Sequence, residues 1–210
     1  MKKNSYFKIM KKIGYLLEFI LIKILFVLFQ LIGYRLSSNL GFFIGKTIGP
    51  IFKSKKMVIQ NLKKANIKQS NHLEKIASTV LGNYGRIFAE YVHLKKFRNN
   101  ELKKFVSIDG LEHLEDLKKY NKKAVFISGH FNNFELMAME IEKAGIELAA
   151  IYRPLNNIFL NKTMEKIRKE NICKNQIKKG RAGSREVIKN LIEGKSIALM
   201  IDQRVREVKK

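Results

Sequence analysis

Three short, almost continuous apolar runs constrain this chain most: KAVFIS at 123–128, ELAAIY at 147–152 and SIALMI at 196–201. Runs of that length without polar alternation fit strands buried on both faces. Helical patterns lie between them, over Asn133 to Lys143, Leu155 to Lys169 and Ser184 to Ile192. Strands alternating with helices predict an α/β fold with a largely parallel sheet flanked by helices. Each run exits into polar residues: Ser128-Gly129-His130, Tyr152-Arg153-Pro154 and Asp202-Gln203-Arg204. In such sheets reactive groups gather at the carboxyl ends of the strands.

The N-terminal end is of another kind. IGYLLEFILIKILFVLFQLIGY, from Ile13 to Tyr34, is apolar except for Glu18, Lys23 and Gln30. As a helix it rises about 33 Å, enough for a hydrocarbon core of about 30 Å. Two charges near its middle argue against a simple span, since each is costly at the bilayer centre. Lysines on both sides fit a helix that enters the inner leaflet obliquely or lies in the interface, with Lys23 snorkelling. Gly41, Gly45 and Gly49 then recur every four residues and predict close packing of a neighbouring helix within the chain. Residues 54–104 read as two or three helices, one with a stripe through Ile76, Val80, Tyr84, Ile87 and Tyr91. The expected organisation is a basic N-terminus with its membrane helix over 1–36, a helical region over 37–105 and an α/β core over 106–210.

The formal charge is +24, carried by 33 Lys and 9 Arg against 18 acids. A field of that sign fits polyanions, anionic membrane surfaces or acidic protein partners. Nucleic-acid binding would need a recognition helix or a stacking sheet with exposed Arg and aromatics. The sequence shows neither, so nucleic acid is not expected as a partner. Cys173 stands alone, which excludes an internal disulfide, and reads as a structural residue. His72, His93 and His113 lack ligand-like spacing with cysteines or acids, so neither a metal nor a cofactor is expected.

The first strand exit holds the candidate chemistry. His130 and Glu135 are five apart, about 500° around a helix, so two helical positions would not share a face. With His130 in the loop and Asn132 or Asn133 capping the helix, the chain can fold His130 back toward Glu135. A carboxylate accepting from one imidazole N–H leaves the other nitrogen basic. Such a pair is a general base that requires no nucleophile of its own and suits attack of an acceptor hydroxyl on a bound acyl group.

SGHFNNFELM resembles the H-x4-E block of the bacterial lipid A late acyltransferases, the lauroyl/myristoyl transferases. These lie within the lysophospholipid acyltransferase-like superfamily. IYRPLNN followed by MEKIRKEN is similar to the second block, and NLIEGKSIALMIDQR to the block ending in Asp-Gln. The three motifs are colinear, and the similarity covers most of the chain. Glu135, where glycerolipid acyltransferases usually carry Asp, favours the lipid A branch.

The resemblance implies a glycerolphosphate acyltransferase-like fold and transfer of a fatty acyl chain from acyl carrier protein to a hydroxyl of a lipid A precursor. It implies His130 as general base and Glu135 as its orienting partner. Arg168 is expected to bind acceptor phosphate or to stabilise negative charge, Arg153 to meet phosphate or phosphopantetheine, and Asp202 to have a structural or acceptor-positioning role. The expected site of action is the bacterial inner membrane, with the catalytic part facing the cytoplasm. A phospholipid or glycolipid acyltransferase of the same superfamily is the alternative, as is an inactive membrane-bound remnant. The remnant reading rests on the eight residues after Asp202, where family members continue with further strands and helices. A C-terminally truncated product and an exposed sheet edge are therefore expected.

Overall fold

The computed structural model describes residues 2–52, 55–65 and 72–202. Residues 203–210, on which the expectation about the chain end falls, lie outside the described residues. Two compact units emerge: Ile22–His93, and Met1–Leu21 joined to Leu94–Lys210.

The first helix, α1 (Lys2–Ile32), contributes to both units. It begins well before Ile13, because flanking lysines are good helix formers. It stops at Gly33, whose φ of +78° is the left-handed conformation in which glycine ends helices. Its stretch Tyr6–Ile32 is long and apolar enough to cross a membrane by length and composition.

In the helical unit, α2 (Tyr34–Phe52), α3 (Lys55–Lys64) and α4 (Leu73–Glu90) follow. Pro50 lies in the last turn of α2. The glycine stripe packs inside the chain: a Cβ on Gly41 would stand 2.5 Å from Ala89 Cβ, and one on Gly85 would stand 2.1 Å from the Gly41 carbonyl. Because α2 comes this close, α4 buries Leu73, Ala77, Leu81 and Ala89. Tyr84, on the expected stripe, is exposed. Buried polar groups fasten the same pair of helices. Ser38 Oγ donates to Glu90 Oε1 at 2.8 Å, and Arg86 Nη1 donates to Ser38 Oγ at 3.0 Å.

The other unit holds the sheet. Helices α5 (Leu94–Arg98) and α6 (Leu111–Lys119) precede β1 (Val125–Ser128). Then come α7 (Glu135–Lys143), β2 (Leu148–Tyr152), α8 (Ile158–Asn171) and β3 (Asn175–Lys178). The described chain closes with α9 (Arg181–Ile192) and β4 (Ser196–Met200). The four strands are all parallel in the order β1-β4-β2-β3, so the predicted α/β sheet flanked by helices is present. Val187 of α9 reaches a buried cluster of Ala149, Ile177 and Ile197.

One side chain joins the N-terminal helix to this unit. Asn157 caps α8, its Oδ1 accepting from the backbone N–H of Phe159 and Leu160. Its Nδ2 donates to the Tyr15 carbonyl at 2.8 Å and to Glu18 Oε2 at 2.9 Å. Glu18, a liability inside lipid, is thus a docking residue within the protein, and Phe19 rests on Phe159 with ring centroids 6.1 Å apart.

Candidate active site at the strand exits

The register of the sheet decides which side chains meet. Ser128 of β1 pairs with Met200 of β4. His130 and Asp202 each lie two residues beyond that pair, so the two strands deliver them side by side. Asp202 Oδ1 stands 2.7 Å from His130 Nδ1, and Asp202 Oδ2 accepts from the His130 backbone N–H at 2.9 Å. Partial burial works to raise the Asp202 pKa. The backbone and ring hydrogen bonds and the charge of His130 outweigh it and hold the carboxyl below its ordinary value. An ionised carboxylate only accepts, so Nδ1 carries the proton and Nε2 is left as the basic nitrogen. The Phe134 ring meets the imidazole edge-on at 4.6 Å.

The carboxylate on His130 is therefore Asp202 and not, as local spacing predicted, Glu135. Asn132 takes a φ of +44°, turning the chain between His130 and α7, and neither Asn132 nor Asn133 caps the helix through its side chain. Glu135, in the first turn of α7, points inward and is buried. There it meets α8: Arg168 Nε and Nη2 donate to Glu135 Oε1 at 3.0 and 2.9 Å. Burial pushes the Glu135 carboxyl up, against the opposing pull of Arg168's charge and hydrogen bonds.

His130, Glu135, Arg153 and Arg168 line one cleft of about 530 Å³, within the usual range for small-molecule sites. Its apolar lining includes Ala150, Ile151, Val187, Ala198 and Leu199. Arg153 is exposed at its edge. Such an arrangement offers a basic nitrogen at the end of an apolar trough, with guanidinium groups beside it.

The sequence model of the bacterial lipid A biosynthesis acyltransferases matches residues 5–209. The chain belongs to that family. No curated protein matches it. Membership in the lipid A biosynthesis acyltransferases gives the class of reaction, acyl transfer, and a lipid as acceptor.

Two further residues, Tyr152 and Glu165, support this cleft. Tyr152, at the exit of β2, donates to Glu165 Oε1 at 2.5 Å, and Glu165 also accepts from Asn161 and pairs with Lys178. The Arg168 guanidinium lies 5.7 Å from the centre of the Tyr152 ring, so this network backs the Glu135–Arg168 pair. Burial first, then the Glu165 hydrogen bond, raises the Tyr152 pKa. Its only clue was its place next to Arg153 at a strand exit. Cys173 is buried and donates to the Leu148 carbonyl, and burial with the nearby Glu142 pushes its thiol up to about 11. That is the setting of a structural thiol.

Proposed function

We propose that the protein transfers a fatty acyl chain from an acyl carrier protein thioester to a hydroxyl on an acyl chain of a lipid A precursor. His130 is the general base in this reading. The observation that carries it is the 2.7 Å contact of His130 Nδ1 with Asp202 at the mouth of an apolar cleft. Asp202, in place of Glu135, orients the ring. Nε2 takes the proton of the acceptor hydroxyl as its oxygen attacks the thioester carbonyl. The tetrahedral intermediate collapses to the new ester and a thiolate, and the imidazolium returns its proton to that sulfur. General-base assistance of this kind is worth about 10²–10⁴ in rate.

The remaining residues follow from charge and shape. The apolar trough takes the acyl chain, at about 0.8 kcal/mol per buried CH2. Arg153 meets a phosphate of the lipid headgroup or of phosphopantetheine. Arg168 keeps positive charge on the cleft wall while it holds Glu135 in place. A net charge of +24 steers an acidic carrier protein and an anionic membrane toward the protein. The reading places the enzyme at the bacterial inner membrane with its cleft on the cytoplasmic side.

The test is direct transfer by the purified protein in detergent, from labelled acyl carrier protein to a lipid A precursor. Wild type transfers label and His130→Ala loses at least two orders of magnitude of kcat, on the scale of a lost general base. A folded wild type without transfer, or an undiminished His130→Ala, defeats the reading.

A further inference from the structure

We propose that the strand-exit edge of the sheet unit is itself a membrane-docking surface, seated in the headgroup layer of an anionic bilayer. Because every strand runs parallel, the exits of β1, β2, β3 and β4 share one edge. Three of these exits carry large apolar side chains turned to solvent. Phe131 is 78% exposed after β1, Ile158 52% after β2 and Ile201 63% after β4. The β3 exit carries cations instead, exposed Lys178, Lys179 and Arg181, with exposed Arg153 after β2. Large apolar tips among cations are the composition that lies in a lipid interface.

The acids at this edge offset the cations only in part, since Asp202 and Glu165 face Arg153, Lys178, Lys179 and Arg181, with Lys178 paired to Glu165. Asp202 is committed to His130, and Glu165 to Tyr152, Asn161 and Lys178. Positive charge is therefore left to face anionic headgroups, which attract such a surface.

A second observation fixes what covers the edge. Asn157, also at the β2 exit, bonds the Tyr15 carbonyl and Glu18, holding the first half of α1 beside the same edge. That half presents exposed Ile9, Ile13, Leu16, Leu17 and Ile20. Asn157 is next to exposed Ile158 in the chain, and Phe19 of the helix rests on Phe159, so a bilayer that takes up the helix lies close to this edge. Docking stands apart from the chemistry at His130. Its consequence, that the lipid acceptor enters the cleft sideways from the membrane, rests on the proposed acyl transfer.

The chain contains no Trp, so a single introduced Trp reports its own surroundings. Phe131→Trp probes the docking edge. Ile192→Trp is the control: Ile192 is 81% exposed and equally apolar, but closes α9 just before β4 begins, at the opposite edge. Full-length variants are bound to phosphatidylethanolamine and phosphatidylglycerol vesicles with or without brominated acyl chains. The docking surface predicts blue-shifted emission at position 131 that brominated lipid quenches, and unquenched emission at position 192. Equal quenching at both, or none at position 131 in vesicle-bound protein, overturns the proposal. So does a blue shift at position 131 that grows with protein concentration without quenching, the mark of a second copy on this edge. Should Phe131→Trp lose native circular dichroism, Ile158→Trp takes its place with the same expected outcomes. The acyl-transfer assay on the wild-type protein bound to the same vesicles separates the two claims. Quenching without transfer keeps the docking and removes the enzyme reading, and transfer without quenching does the reverse.

Discussion

Replacing Arg168 by Met puts the buried ion pair of the cleft to a quantitative test. Glu135 and Arg168 keep only 9% and 14% of their side-chain surface exposed, and two guanidinium N–H groups converge on one carboxylate oxygen. Arg168→Met preserves most of the aliphatic stem but takes the guanidinium away from a buried carboxylate. Breaking a buried pair from one side costs about 3–5 kcal/mol, whereas replacing both partners by apolar groups is often neutral. The single variant should therefore lose about 6–20 °C of Tm in detergent, at about 2–4 °C per kcal/mol for a chain of this size. Glu135→Leu/Arg168→Met should recover most of that loss. Acid narrows the deficit of the single variant, and the sign follows from burial. Burial already raises the Glu135 pKa, and Arg168 is what pulls it down. Without Arg168 the folded pKa rises further. The penalty is then full above that pKa and fades as pH falls through it toward the ordinary value of 4.5. Losses that add within about 0.5 kcal/mol across the cycle, or a deficit unchanged by acid, would refute the reasoning.

Two further outcomes are expected. Asp202→Asn keeps one acceptor where His130 presents two donors, so kcat should fall by about 10²–10⁴ while KM for the donor barely moves; a fall in KM alone would contradict this. Gly85→Ala sets a Cβ against the Gly41 carbonyl and should destabilise the helical unit by about 1–3 kcal/mol, read as earlier proteolysis between α2 and α4, whereas Gly14→Ala, with open space around it, should change nothing.

Strands β1, β2 and β4 were legible because each is a nearly unbroken apolar run, and their polar exits share one edge of the parallel sheet. Strand β3 was not, since NQIK buries only Ile177 and looks like a loop. Of the expected α4 stripe Ile87 and Tyr91 are buried and Tyr84 turns outward, because sequence periodicity does not know where the α2 glycines will press. Glu18 read as a cost because its partner, Asn157, is 139 residues away. The same blindness to long-range partners assigned His130 to Glu135. Five residues of spacing made that pair plausible, but the parallel pairing of Ser128 with Met200 brings Asp202 to the imidazole and leaves Glu135 to Arg168. Residue types at the site were readable from sequence; their pairing was a property of the sheet.

The central claim, an imidazole aimed by Asp202 at the head of the cleft, is most directly tested by nitrogen NMR of the histidine-labelled protein in micelles. Substitution of His130 identifies its signals among the four histidines. The account predicts a His130 ring protonated at Nδ1, with a hydrogen-bonded proton signal that disappears in Asp202→Asn and persists in Glu135→Gln. Loss of that signal in Glu135→Gln, with its survival in Asp202→Asn, would contradict it.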